Sequence, residues 1–599
     1  MAHDPTVTPD PSSALDRPKP PGLRELSPRA ILCGLAVAAL MGASYPYVVL
    51  KLGFGPNVSV VAAILGYIIL GLLLAKLLPM LGARDRPFNR WENNLVQAAG
   101  TAAAQTAFLC VLLAAFDMLT QSKVVRFDYT LTPVQAFAWL TTAGLLGVLL
   151  AAPLRRHYVV DEKLPYPDGV AAGETLRVLD SGGQAAQRAA YTMLIGVVAS
   201  ALLTTLTSPR VFDLFDSTLL FGTGVLATTG VGVEWSLLAI GSGMLISLRI
   251  NLSMLLGTLL SWVVAAYALR EAGVLGEKFT RTDVLFWVMW PATGMLVAGG
   301  LTALALRWRV LMRAFRSLTA SSAGGADEFP LRWVVVGSLL CAAALVIVQH
   351  ELLGQPVWIT LVAIVLSIPL ALVGLRVLGE TNWGPISALS NMMQGFFAFL
   401  APGNVSANMV ASGTTGTVAS SSEGNMQSYK TGHMIGSSPR CLTIMQLLAI
   451  PVGAAAVAWM YPVLRAEYGI GGETGLSSPI SRKWAGFAEV LSKGIDALPP
   501  GALAALVIGS LLGVVLAVLE MKVKRKEFVP SPTGLGIGML VPASVIVMMV
   551  VGGIVAAIWM RRSPRTSGPY LTPLASGLIA GEALVAVAVP LLIVSGILK

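Results

Sequence analysis

Residues 401–440 read APGNVSANMVASGTTGTVASSSEGNMQSYKTGHMIGSSPR, and from Asn404 to Ser422 the run holds small polar residues with no large aliphatic beyond valines and Met409. Apolar stretches at about 384–401 and 440–462 flank it, leaving too little room for a long solvated excursion. A helix this polar is a poor surface for lipid. The pattern therefore predicts a segment that lines a cavity or packs tightly against its neighbours at membrane depth.

The rest of the chain supports that setting. Of 599 residues, 55% are hydrophobic and 12% charged, and the mean hydropathy is +0.74. That is about half the charge of an ordinary soluble domain, which excludes a disordered polymer, a disulfide-stapled secreted domain and a soluble enzyme. A spanning helix needs roughly 20 mostly apolar residues. Counting such segments predicts an all-α polytopic membrane protein of about sixteen spans, eight over 29–330 and eight over 331–599. Halves with an even number of spans would be parallel repeats. Leu219–Val231, with Gly222, Gly224 and Gly230, is too short to cross and is expected to be a re-entrant helix.

The net charge of +10 is scattered as short basic clusters between apolar runs rather than gathered on one domain, so no nucleic-acid partner is expected. Read with the positive-inside rule, the clusters place both termini in the cytoplasm, and the protein in the cytoplasmic (inner) membrane. Arg561, Arg562 and Arg565 run against the rule and make the last two spans the weak point of that topology. The Pro- and Asp-rich residues 1–28 are expected to form a disordered cytoplasmic tail. Cys33, Cys110, Cys341 and Cys441 have no paired spacing that would clamp a metal. Neither a metal site nor a cofactor is expected.

Charge and amide groups inside spans are costly and mark candidate sites. At the third span, Glu92 shares a helical stripe with Val96, and Asn93 stands one turn before Gln97. Such a stripe could line a polar pathway; Glu92 could equally decorate the first turn, where the helix dipole favours a carboxylate. Arg249 and Asn251 fall in a brief break between two apolar helices, suited to an anionic group or to a short basic turn. After Pro165 and Pro167, Asp168 caps a helix of small residues that carries Glu174. Asn404, Asn408 and Gln427 belong to the polar helix, and Glu423 lies near its inner end. Glu582 follows Gly577 and Gly581 in the last span. The substrate-binding candidates are Glu92, Asn93, Gln97, Arg249, Asn251, Asn404, Asn408 and Gln427; the proton-coupling candidates are Glu174, Glu423 and Glu582.

Several of these residues belong to islands through which the chain resembles the oligopeptide transporter superfamily, most closely its yellow stripe-like branch in bacterial form. The islands are Glu92-Asn93 with Gln97, Lys163-Leu164 with Tyr166, Pro167 and Gly169, then Gln427, Lys430, Thr431, Gly432 and His433, and finally Ser438, Pro439 and Arg440. The resemblance implies secondary active uptake of small oligopeptides or metal chelates by alternating access, typically coupled to protons. The branch usually carries acidic residues where this chain has Gly424 and Ser428, and Glu423 stands beside them.

A channel or facilitator without proton coupling is the alternative, and a membrane-embedded enzyme is a further rival class. The first would need a repeated pore loop or charged ring. The second lacks an HExxH pair and a pair of intramembrane aspartates. The expected partners are thus a small-molecule substrate and the lipid bilayer. A homo-oligomer is compatible with the small-residue helix faces, which pack within or between protomers equally well.

Overall fold

The computed structural model describes residues 19–20, 22–52, 58–73, 88–121, 127, 129–180, 184–207, 212, 214, 216, 218–306, 328–470, 476, 478–492, 498–523 and 528–594. Most of the expected tail, 1–18, lies outside the described residues. The first helices are α1 (Pro28–Leu52), α2 (Ser59–Tyr67), α3 (Arg90–Ala107), α4 (Cys110–Thr120), α5 (Pro133–Ala151), α6 (Pro167–Asp180) and α7 (Gln184–Thr207). A hairpin of β1 (Thr218–Leu220) and β2 (Gly232–Glu234) encloses α8 (Val225–Thr229). Then come α9 (Leu237–Leu245), α10 (Leu248–Thr258), α11 (Ala266–Glu271) and α12 (Arg281–Leu306). The second half holds α13 (Leu331–Ile347), α14 (Val357–Thr381), α15 (Ile386–Leu400), α16 (Val405–Ile435), α17 (Pro439–Tyr468) and α18 (Pro479–Ser492). It ends with α19 (Ala502–Lys522), α20 (Pro532–Leu540), α21 (Ala543–Arg562) and α22 (Pro564–Val594).

Among the described residues, ten helical stretches are long and apolar enough to cross a membrane, and three shorter ones are apolar. The chain is an all-α, multi-pass membrane protein. Three segments differ from the sequence-based expectation. Leu219–Val231 is not a re-entrant helix: β1 and β2 pair antiparallel, and Leu219, Leu220 and Phe221 are exposed. Its glycines serve turns, since Gly222, Gly224 and Gly230 all have positive φ, a backbone region open to glycine at no steric cost. The stretch 233–247 holds the nine-residue α9, and 533–560 is divided into α20 and α21 at Val541-Pro542. Pro542 has no N–H to continue the ladder, so the helix stops and restarts.

Helix α16, the polar run, is buried along nearly its whole length and packs on α3, α5, α6, α14 and α15. Most of its hydroxyls are satisfied by the helix's own backbone. Thr414, Thr415, Thr417, Ser422 and Ser428 donate to the carbonyls of Val410, Ala411, Gly413, Val418 and Gly424, each four residues back. Small side chains let neighbours approach to backbone distance, and Ser422 also donates to the Gly147 carbonyl of α5 at 2.8 Å.

The two ends of this central helix are fixed differently. At its C-terminal end, Trp91 donates its indole N–H to the Ile435 carbonyl at 2.9 Å. Nearby, Glu25 accepts from the Ser438 N–H at 3.0 Å, which ties residues at the end of the expected tail to the start of α17. The N-terminal end is capped by Asn404, whose side chain accepts from the Ala407 N–H at 2.9 Å.

Candidate functional site

Three separate sequence segments meet beside the C-terminal third of α16. They are the loop into α6 (161–169), the break between α14 and α15 (382–385), and α16 itself from Glu423 to Thr431. The loop is pinned at several points. Tyr166 donates its hydroxyl to the Leu375 carbonyl at 2.8 Å and its N–H to the Gly379 carbonyl at 3.1 Å. Lys430 donates to the Leu164 carbonyl at 2.9 Å, and Thr431 donates to the Gly169 carbonyl at 2.8 Å. Gln427 accepts from the Gly169 N–H at 2.7 Å.

Asn382 is the hub of the junction. Its Oδ1 accepts from the Asp168 N–H at 3.2 Å and from Gln427 Nε2 at 3.3 Å, while its Nδ2 donates to Asp168 at 2.7 Å. Three junction residues sit in the left-handed region although none is glycine: Lys163 at φ 53°, Tyr166 at φ 45° and Asn382 at φ 61°. Such strain costs about 1–3 kcal/mol and persists only where surroundings over-determine it. At Gly169 a side chain is sterically forbidden, because a Cβ would lie 2.5 Å from the Gln427 carbonyl oxygen and 2.9 Å from Lys430 Cβ.

Above the junction lies Glu423, 4% exposed, with Oε1 lacking a hydrogen-bond partner among the described residues. It projects at Gly374 of α14 and Gly384 of the break, where a side chain would collide with its carboxylate. Other buried polar atoms without partners follow along the adjoining helices: Ser390 Oγ, Asn391 Oδ1 and Gln394 Oε1 on α15, and Asn408 Oδ1 on α16. Buried polar groups are almost always satisfied in a folded protein. Such unpartnered groups, counted among the described residues, are the kind that ordered water or a polar ligand satisfies.

Below the junction is a buried ion cluster. Arg376 of α14 pairs with Glu162 at 2.8 Å and with Glu380 at 2.7 Å, and His157 Nε2 lies 3.1 Å from Glu162. Thr533 of α20 lies beside Glu380, which also feels the charge of Glu520 on α19. The cluster thus joins elements from both halves of the chain.

The remaining candidates are dispersed. Glu92 accepts from the Ser27 hydroxyl at 2.5 Å, Arg29 Nε at 2.8 Å and Asn89 Nδ2 at 2.8 Å; its surroundings are those of a helix-start anchor. Asn93 donates to the Ala63 carbonyl and Gln97 to Thr101, both at 2.9 Å. Arg249 pairs with Glu520 at 3.0 Å and donates to the Val529 carbonyl at 2.9 Å, while Asn251 stitches the α9–α10 break through the Gly243 carbonyl at 3.0 Å. Glu174 pairs with Arg177 at 3.1 Å. Glu582 accepts from the Ser236 hydroxyl and the Leu238 N–H, both at 2.9 Å, at the start of α9. His433 and Arg440 are exposed, Gly432 packs on Leu442, and Pro439 opens α17. Asn404 lines a cavity of about 400 Å³ with Phe127 and Tyr129.

Sequence reasoning passed over Asn382, Asp168, Arg376, Glu162 and Glu380 as site residues. Arg376 and Glu380 did carry a signal, being charges one turn apart at the end of an apolar run. Among the described residues, no group of three or more His, Cys, Asp or Glu could hold a metal ion.

The family model for the OPT oligopeptide transporter protein matches residues 25–593, and the chain belongs to that family. It is a transporter and not an enzyme. It is 23% identical to a Saccharomyces cerevisiae protein provisionally named an oligopeptide transporter, over 95% of this chain and 96% of that one. It is 24% identical to a metal-nicotianamine transporter of Arabidopsis thaliana, over 95% of this chain and 93% of that one. A second Arabidopsis thaliana metal-nicotianamine transporter is 23% identical over 92% and 89% of the two chains.

Proposed function

We propose that the chain is a secondary active carrier that imports short peptides or metal chelates across the cytoplasmic membrane by alternating access, with proton movement linked to Glu423. Both substrate classes draw support from the relatives, one named for oligopeptides and the others for a metal chelate. The observation that carries the reading is the placement of Glu423: buried, with an unpartnered oxygen, against the helix break at 382–385. A charge held there without a partner is costly. A proton or a cationic substrate group relieves that cost, and relieving it at a break couples occupancy to movement of α14 against α15.

Glu174 and Glu582 are weaker candidates, because each already has a charged or hydrogen-bonding partner. In this reading the face where α1 begins is cytoplasmic, and the ion cluster around Arg376 belongs to the inner gate. The test is uptake into proteoliposomes of a labelled tripeptide and of an iron or nickel chelate, each with and without an inward proton gradient. Gradient-stimulated uptake of one of them, with the stimulation lost in Glu423→Gln, is the expected result. Uptake that ignores the gradient, or a Glu423→Gln protein that still responds to it, would overturn the assignment.

A further inference from the structure

Residues 236–262 and 531–557 follow one pattern, each residue of the first having its counterpart 295 positions on. Both read Gly-x-Gly-Met-Leu, at 241–245 and 536–540. In both, a serine caps a nine-residue helix: Ser236 accepts from the Ala239 N–H at α9, and Ser531 from the Gly534 N–H at α20. Both helices then stop at an extended residue, Ile246 with ψ 148° and Val541 with ψ 149°, before α10 and α21 begin.

The two segments also hold each other reciprocally. A Cβ on Gly243 would lie 1.9 Å from the Met549 carbonyl oxygen, and one on Gly538 would lie 1.9 Å from that of Met254. A Cβ on Gly552 would lie 2.1 Å from the Ile240 oxygen, and one on Gly257 2.1 Å from that of Leu535. Polar contacts repeat the exchange. Arg249 donates to the Val529 carbonyl at 2.9 Å; its counterpart Ser544 donates to Glu234, the counterpart of Val529, at 3.2 Å. Contacts of one residue with another that recur with the roles exchanged are the mark of a two-fold axis. Backbones this close cannot slide without collision, so α9, α10, α20 and α21 form one rigid crossed unit.

Against this unit lies a second pair, α12 and α19. They run parallel, since a Cβ on Gly509 would lie 2.2 Å from the Pro291 carbonyl oxygen and one on Gly513 2.5 Å from that of Met295. The buried residues of α19, Ala502, Ala505, Gly509, Gly513 and Ala517, fall on one stripe, while Leu503, Val507, Ile508, Leu511 and Leu512 are exposed. With so little else to hold it, α19 moves with α12. The unit meets this pair at mid-length, where Gly536 packs on Ala292 and Leu296, and at both ends through charges. At one end Glu520 pairs with Arg249 at 3.0 Å. At the other, Arg281, the first residue of α12, and Glu234 feel each other's charge, but no ion pair joins them among the described residues. The Arg281 guanidinium instead lies over the Trp262 ring, 4.9 Å from its centroid. At about 1.5 Å per residue, Arg281 stands about 15 Å from Pro291, and Glu520 about 16 Å from Gly509. The two arms are equal.

We infer that α12 and α19 rock together on the crossed unit, with Glu520–Arg249 and Arg281–Glu234 as alternating latches, the first closed and the second open in this structure. Both latches lie on the face toward the unit, so a tilt about Gly536 that parts Glu520 from Arg249 carries Arg281 onto Glu234. One ion pair then replaces the other, which spares either end state the cost of leaving both pairs of charges unmatched. The inference rests on the alternating-access reading and names the moving part and its two gate contacts.

The experiment measures distances between paired spin labels by electron paramagnetic resonance, on the full chain in nanodiscs with its four cysteines changed to alanine. Labels go on exposed residues: Leu220→Cys with Leu503→Cys for the Glu234 end, and Leu252→Cys with Leu519→Cys for the Glu520 end. Glu520→Gln, at a side chain 20% exposed, should lengthen the distance at its own end and shorten that at the Glu234 end by a similar amount. Adding Glu234→Gln or Arg281→Gln should abolish the shortening, and Arg281→Lys should keep it. Glu520→Asp, whose charge remains, should hold both parent distances, which separates loss of the latch from loss of the fold. Lengthening at one end without shortening at the other, no change at either end, or shortening that survives Glu234→Gln overturns the latches; so does a Glu520→Asp shift as large as that of Glu520→Gln. Uptake by proteoliposomes of the same variants separates the two ideas. Reciprocal distances without uptake of tripeptide or chelate sink the carrier reading and leave the rocking pair; uptake with ends that move independently does the reverse.

Discussion

Replacing Arg376 by glutamine tests whether the buried ion cluster holds the two halves together. The side chains of Arg376 and Glu162 are 7% and 5% exposed, so solvent screens the pair little. Arg376 also neutralises Glu380 at 2.7 Å. Removing one partner of a buried pair costs about 3–5 kcal/mol, because the other is left charged and desolvated. Arg376→Gln should fall in that range, and Glu162→Gln should cost less, since Glu380 still compensates the arginine. The double variant should be less destabilised than the sum of the singles by about 1–3 kcal/mol. Reversible unfolding in mixed micelles, followed by tryptophan fluorescence, gives all four corners of the cycle. Additive losses, or an Arg376→Gln loss below about 1 kcal/mol, would falsify the idea that the cluster is a buried, coupled unit.

Other positions give sharper contrasts. Gly453→Ala should destabilise by about 1–3 kcal/mol, because the new Cβ would lie 2.6 Å from the Ala103 backbone Cα and 3.0 Å from its carbonyl oxygen; Gly568→Ala, with nothing within 4 Å, should be neutral or stabilise its helix by up to about 1 kcal/mol, both read from thermal melts. Glu582→Gln should cost about 1–2 kcal/mol through weaker bonds to Ser236 and Leu238 and leave gradient-stimulated uptake intact; loss of that stimulation would move the proton site from Glu423 to Glu582. In the hairpin, burial pushes the Glu234 carboxyl above its ordinary 4.5, opposed by the Ser544 hydroxyl and Arg281. The fold thus favours its neutral form, a contribution full below pH 4.5 and lost as pH rises through the raised value. Melts of Glu234→Gln against pH should lack that part of the decline, and parallel profiles would show that Glu234 contributes none of it.

The membrane class and the central helix were legible in the residues because both follow from one-dimensional quantities. Hydropathy summed over about 20 residues decides whether a segment partitions into lipid, and the Ser, Thr and Gly run at 404–422 could not face lipid whatever surrounded it. The family islands were also visible, as was the helix of small residues after Pro165, although it begins at Pro167 and Asp168 lies inside its first turn, where it accepts from Asn382 instead of capping. Segment lengths near breaks were less so. Leu219–Val231 has the glycines of a tight turn and the hydropathy of a buried helix, and its strand pairing, Thr218 to Glu234, is a contact between residues 16 apart in sequence.

The site divides in the same way. Residue type alone raised Glu92, Glu174, Glu423 and Glu582 as intramembrane or near-membrane carboxyls, and type could not rank them. Tertiary structure ranks them by what each touches: Ser27 and Arg29 at Glu92, Arg177 at Glu174, Ser236 and Leu238 at Glu582, and at Glu423 a pair of glycines. The sequence by itself determined that this chain lives in a bilayer and folds around a polar helix, because transfer energies add along the chain. Which charges are paired, and which one stands alone, only the tertiary structure decided, because pairing depends on residues hundreds of positions apart.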